Sequence, residues 1–133
     1  LQLPPQPQLQ PQYCFNTIIT MCQRAGAAVE ARAAFGRMAL HHQLQPDVFT
    51  LTALLDVLGR NGHDAGSLAA YCDLRAFRVQ PNVVTFVTAL RVAVAHGNDR
   101  LFLRALDDLQ GLASTHTQQQ QKREKKYNCF FSL

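Results

Sequence analysis

Gln45-Pro46-Asp47-Val48-Phe49-Thr50 returns 35 residues later as Gln80-Pro81-Asn82-Val83-Val84-Thr85, with Gln, Pro, Val and Thr in register. Pro46 and Pro81 are the only prolines after residue 11. Proline disfavours helix at the residue before it and cannot continue a helix through its own position, so each one closes a unit. The Asp47 or Asn82 that follows is suited to capping the next helix.

A second marker falls inside each unit, at Arg24-Ala25-Gly26, Arg60-Asn61-Gly62 and His96-Gly97. The glycines lie 36 and then 35 residues apart, and each can end a helix in the left-handed conformation. The one-residue excess of the first unit fits a turn near Ala27-Ala28. Apolar residues keep the same phase. Ile18-Ile19 recurs as Leu54-Leu55 and Ala89-Leu90, and Ala34, Phe35 and Met38 recur as Ala70, Tyr71 and Leu74, then as Ala105, Leu106 and Leu109. Spacings of three and four put them on one helix face.

Six helices follow, over 13–24, 28–42, 48–60, 64–77, 83–95 and 98–113. Each pair has an apolar side that it cannot bury alone, which is why such units stack. The expected fold is all-α, a right-handed α-α superhelix of about three antiparallel hairpins with disordered N- and C-terminal tails. Residues 1–11 form a Pro/Gln-rich segment, 12–47, 48–82 and 83–117 the repeats, and 118–133 a Gln-rich basic tail. Because the chain opens on Leu1, we read it as a fragment or processed form of a longer protein, without a visible targeting peptide.

At 47% hydrophobic and 17% charged residues, the composition is that of a globular domain rather than a disordered chain. The net charge of +4 is unevenly placed. Residues 1–117 hold nine Arg against eight Asp and Glu, a balance of +1, and the other +3 comes from Lys122, Arg123, Lys125 and Lys126 against Glu124. Charge alone therefore gives little reason to assign an anionic partner to the repeats. Cys14, Cys22, Cys72 and Cys129 show neither zinc-ligand spacing nor the density of a secreted disulfide framework, and a reduced compartment is expected. No apolar run is long enough to span a bilayer.

The repeat openings, Tyr13-Cys14-Phe15-Asn16-Thr17-Ile18-Ile19, Val48-Phe49-Thr50-Leu51-Thr52-Ala53-Leu54-Leu55 and Val83-Val84-Thr85-Phe86-Val87-Thr88-Ala89-Leu90, resemble those of the pentatricopeptide repeats over about residues 12–117. The Gly-containing turn and the closing Pro-Asp resemble that family too. Protein-binding helical repeats of similar length carry a Trp and a Leu-Gly pattern; this chain has no Trp.

The resemblance implies sequence-selective binding of single-stranded RNA, in organellar RNA processing, stabilisation or translation, hence in the chloroplast or mitochondrion. It implies that each repeat reads a base with its fifth and last residues. Carried over, these pairs are Asn16 with Asp47, implying a pyrimidine and preferably U, and Thr52 with Asn82, implying A. The third pair, Val87 with Thr117, lacks a polar group at Val87. The second residue of each repeat, Tyr13, Phe49 and Val84, is implied to sandwich bases. By their chemistry alone, Asp47 and Asn82 are equally good helix caps, and aromatics at helical spacing are commonly core.

Outside the resemblance, the residues supply no enzyme signature, and no catalytic residue, cofactor or small-molecule substrate is expected. His41 and His42 are adjacent and point to different helical faces. His63 and His96 sit in turns, Asp107-Asp108 reads as a solvated face, and Cys14 with Cys22 reads as small core residues, so no metal site is expected. The alternative function is a protein-protein interaction scaffold on the same repeats. Arg24, Arg60 and Arg91 discriminate between the two: facing the helical groove they suit phosphate, whereas an acidic or apolar groove suits protein partners.

Overall fold

The computed structural model describes residues 10–131; of the expected N-terminal segment, only Gln10 and Pro11 lie within them. Six α-helices follow in order: α1 (Pro11–Ala25), α2 (Ala28–Gly36), α3 (Val48–Arg60), α4 (Asp64–Ala76), α5 (Val83–His96) and α6 (Asp99–Phe131). Among the described residues there is no strand. The helices pair as three antiparallel hairpins in an all-α solenoid, with α3 packed on α1 and α5 on α3.

The punctuation acts as its chemistry requires. Gly26, Gly62 and Gly97 end the first half of each hairpin with φ of 69°, 75° and 65°, a conformation that costs glycine little. Asp47 accepts from the Thr50 N–H at 2.9 Å and caps α3. Asn82 accepts from the Thr85 N–H at 3.0 Å while the Asn82 N–H donates back to Thr85 Oγ1 at 3.3 Å, a reciprocal cap at the start of α5. Pro46 is fully buried, and the Gln45 amide donates to the Phe77 carbonyl at 2.6 Å. The Gln-Pro dipeptide thus ties one inter-repeat turn to the next.

The core runs along the stack. Ile19, Leu54, Leu55, Val57, Leu58, Ala89 and Val92 from the first helices are buried with Ala34, Met38, Ala70, Tyr71, Leu74 and Ala105 from the second. Full burial of one such large aliphatic side chain contributes about 1.5–3 kcal/mol. Two members of the expected apolar phase depart from it. Ile18 is exposed at the first end of the stack, and Leu109 is partly exposed on α6.

Two helix ends also depart from expectation. The helix expected over 28–42 changes at Arg37 into a π-helical turn, Arg37–His41, closed by the His42 N–H on the Arg37 carbonyl at 3.0 Å; the one-residue excess of the first unit is taken up here rather than near Ala27-Ala28, since Met38 and Leu74 are still 36 apart and Gln43 and Arg78 are 35 apart. The last helix does not stop at 113. It runs unbroken to Phe131 and takes in the tail that was expected to lie outside the fold. No proline stands 35 residues after Pro81, where His116 sits, and Gln, Lys, Arg and Glu favour helix. The extension still lies outside the packed stack, because residues 113–126 are exposed. No helix among the described residues is long and apolar enough to cross a membrane.

Candidate functional site

Along α3, Phe49, Thr52, Asp56 and Arg60 follow one another at spacings of three and four, which aligns them on one face. The same stripe is Tyr13, Asn16, Thr20 and Arg24 in α1, and Val84, Val87 and Arg91 in α5. Three parallel stripes, side by side, make a shallow surface on which each row has a distinct chemistry.

The first row is apolar and open. Tyr13, Phe49 and Val84 are 68%, 73% and 62% exposed, so none of them is a core residue despite its spacing. Exposing two aromatic rings in register carries a solvation cost without a packing return. These rings are free to stack.

The second row is hydrogen-bonded across the repeat junctions. The Asn16 amide donates to Asp47 Oδ2 at 3.1 Å, joining residues 31 apart in sequence. Thr50 Oγ1 donates to Asn16 Oδ1 and lies 2.9 Å from Asp47 Oδ1. At the next junction the Thr52 and Thr85 hydroxyls are 3.0 Å apart, and Thr85 Oγ1 donates to Asn82 Oδ1 at 3.0 Å. The sequence-derived pairs Asn16/Asp47 and Thr52/Asn82 are therefore assembled, the first directly and the second through Thr85. The third is not. Thr117 lies within α6 and donates to the Ala113 carbonyl at 3.0 Å, while Val87 is exposed on α5.

The two assembled pairs differ in what they offer. Asp47 is a carboxylate and can only accept; its Oδ1 serves the cap, and Oδ2 meets Asn16. The Oδ1 of Asn82 is taken by Thr85, which leaves its amide N–H groups to donate. One junction ends in an acceptor and the other in a donor.

The third row is charged. The buried Asp56 carboxylate receives Arg60 at 3.2 Å and Arg91 at 2.8 Å, and the Gln23 amide donates to it at 2.7 Å. Arg60 also donates to the Gln23 carbonyl at 2.6 Å. This carboxylate clamps α1, α3 and α5 together. Both guanidinium groups remain about half exposed, so each keeps donors directed to solvent. Sequence reasoning singled out Arg60 and Arg91 but missed Asp56. The Asp56-Arg60 spacing of four was legible as a helical ion pair, whereas the contact with Arg91 depends on the register between two helices.

Away from these stripes, a cleft of about 820 Å³ opens between α4 and α6, with Tyr71, Arg75, Arg104 and Asp108 among its lining residues. One ion pair and one side-chain hydrogen bond meet within it, both on Asp108. The Tyr71 hydroxyl donates to Asp108 at 2.9 Å and Arg75 pairs with the same carboxylate at 3.3 Å. Burial, reinforced by the hydrogen bond and the negative charge of Asp108, pushes the Tyr71 phenol well above its ordinary range.

No protein-family model matches the chain. A chloroplastic pentatricopeptide repeat-containing protein of Arabidopsis thaliana is 31% identical over 70 residues, 53% of this chain and 10% of the relative. A putative pentatricopeptide repeat-containing protein of the same plant is 29% identical over 99 residues, 74% of this chain and 14% of the relative. The crystal structure of the pentatricopeptide repeat domain of Arabidopsis thaliana protein-only RNase P 1, solved in complex with tRNA, superposes with a TM-score of 0.65 at 17% identity. That match covers 86% of this chain and 61% of the other. The chain is similar in sequence to pentatricopeptide repeat proteins, and its fold is that of a pentatricopeptide repeat domain. It spans about a tenth to a seventh of the length of these curated relatives. The two assembled junctions close the first and second repeats.

Proposed function

We propose that the stripe surface of α1, α3 and α5 binds single-stranded RNA, with Tyr13, Phe49 and Val84 stacking against bases and the two assembled junctions reading their edges. The observation that carries the reading is the Asn16-Asp47 hydrogen bond set between the exposed rings of Tyr13 and Phe49. A base entering between the rings meets an amide donor and a carboxylate acceptor together. Single-stranded RNA is recognised by this combination of stacking and edge readout.

The chemistry of the junctions selects the bases. Uracil presents an N3–H donor, which Asp47 can accept while Asn16 donates to a carbonyl. Adenine presents N1 as an acceptor, which suits the free amide donors of Asn82, and the Thr52 hydroxyl can accept from its amino group. The preferred step is 5′-U-A-3′. Arg60 and Arg91, and Arg24 on the same face, supply phosphate contacts that release counterions from the backbone.

The role is recognition rather than catalysis, and it is the placement of these Arg side chains on the stripe that favours RNA over a protein partner. An organellar setting, chloroplast or mitochondrion, goes with the reading and is supported by the chloroplastic relative. RNA processing, stabilisation and translation all accommodate such a module.

Titration of the chain with short single-stranded RNAs tests the assignment. An oligomer bearing U-A should bind about tenfold more tightly than the same oligomer bearing A-U or C-G, since a good pair of hydrogen bonds discriminates by roughly 1–3 kcal/mol. Equal affinity for the permuted sequences refutes it.

A further inference from the structure

The surplus charge of the chain lies along α6 and the cleft beside it. Within α6, Arg104, Asp108, Gly111, Thr115, Lys122 and Lys126 recur at spacings of three, four and seven, which aligns them on one face. Lys122 follows Arg104 by 18 residues, a whole number of turns at about 3.6 residues per turn, so both side chains leave the helix in the same direction.

The first half of this face lines the cleft between α4 and α6, whose wall also holds Arg75 and Arg78. Arg75, Arg78 and Arg104 are all exposed. Arg75 pairs with Asp108, whereas among the described residues Arg78 and Arg104 make no ion pair. The second half is the overrun of the helix. At about 100° per residue, Lys122, Arg123, Lys125 and Lys126 share one side of α6, and Glu124 falls on the other. Cleft and overrun together carry seven Arg and Lys against Asp107, Asp108 and Glu124, while the rest of the chain has six against six. The whole net charge of +4 therefore belongs to this one flank.

Such a flank suits either an RNA or an acidic protein, and its uncharged side chains decide between them. Residues 114–126 include no apolar or aromatic side chain, so neither a neighbouring repeat nor a protein partner has anything there to bury. A phosphate backbone asks only for cations and hydrogen-bond donors. The hydroxyls and glutamine amides of 114–121 supply the donors. From Arg104 to Lys126 the face runs roughly 33 Å, long enough for several phosphates.

From this distribution we infer that the flank binds RNA through its phosphate backbone, without regard to sequence, and apart from the stripes of α1, α3 and α5. The choice of RNA over other polyanions rests on the proposed function; the test below does not.

The test is titration with an oligocytidine of about 20 nucleotides, which offers no U-A step, between roughly 50 and 200 mM salt. Lys122→Gln, Lys125→Gln and Lys126→Gln in one chain should weaken binding at least tenfold and flatten the slope of log affinity against log salt by about 2, the share of three phosphate contacts on a single strand. Arg78→Gln with Arg104→Gln should weaken it as well. Arg32→Gln with Arg37→Gln, which removes as much charge from the first hairpin, should not. A loss no greater for the triple variant or the cleft pair than for this control overturns the inference. So does an oligoglutamate of matched charge that displaces the RNA at equal concentration, which would assign the flank to acidic protein. The U-A preference of short oligomers is read separately: if it is absent while the oligocytidine results hold, the proposed base reading falls and this contact stands. Circular dichroism confirms the helix of the triple variant; if it is lost, Lys122→Ala, Lys125→Ala and Lys126→Ala, with higher helix propensity, carry the same comparison.

Discussion

A Cβ added at Gly59 would fall 2.0 Å from Val92 Cγ1, so α3 and α5 approach as closely as they do only because position 59 carries no side chain. Val92 is short and buried, and relief would require the helices to move apart. Gly59→Ala is expected to lower stability by about 1–3 kcal/mol, as overpacked cores do, despite the better helix propensity of alanine. Urea denaturation reads the loss. Val92→Ala in the same chain should recover part of it, and strictly additive costs would contradict the contact.

Phe49 is exposed and lies outside the core, and the proposed function gives its ring a part in ligand binding. Phe49→Ala should weaken binding of the U-A oligomer roughly tenfold or more, in line with about 1–3 kcal/mol per stacked base, and leave the melting temperature unchanged. Val84→Ala should have the smaller effect on affinity. A marked fall in melting temperature for Phe49→Ala would place the ring in the fold instead.

Asp47→Asn separates capping from base reading. The variant keeps an oxygen for the Thr50 N–H, so the start of α3 should hold, but it turns the outward acceptor into a donor. The preference for U over C at the first base should fall about tenfold in a fluorescence titration with paired oligomers. An unchanged U-to-C ratio would remove Asp47 from the reading of the base.

Tyr71 links stability to alkaline pH. Its phenol is raised above the ordinary value of 10.0 by burial and by Asp108, so the native chain holds a proton that the unfolded chain releases. The resulting stabilisation is complete below pH 10.0 and declines as pH rises above it. Urea midpoints measured from pH 8 to 11 should fall more steeply for the native sequence than for Tyr71→Phe. Parallel slopes would show that Tyr71 does not contribute.

The hairpins were legible because their stops are written in single residues. Gly26, Gly62 and Gly97 take positive φ, and Pro46 and Pro81 close the first two units at residues a reader can find without a structure. The long run of α6 was legible in the same way, through the missing proline at His116, yet the glutamine composition drew attention to a tail instead. Gln43 and Arg78 also take positive φ, at 50° and 57°, and occupy corresponding places 35 residues apart; neither residue type announces this. The Asn16-Asp47 and Thr52-Asn82 pairs came from the resemblance, and their different hydrogen-bonding ends required the side-chain geometry. The Asp56 clamp depends on helix register, which a linear pattern leaves open.

The overrun of α6 puts the surplus charge at a distance. At 1.5 Å per residue, the segment from Lys122 to Lys126 lies roughly 15–20 Å beyond Leu112, the last half-buried residue of the helix. The body carries almost no net charge and the rod carries +3, so the molecule is a lopsided electric lever. In the field of a polyanion it would experience a torque before it made any contact, and it would arrive rod first.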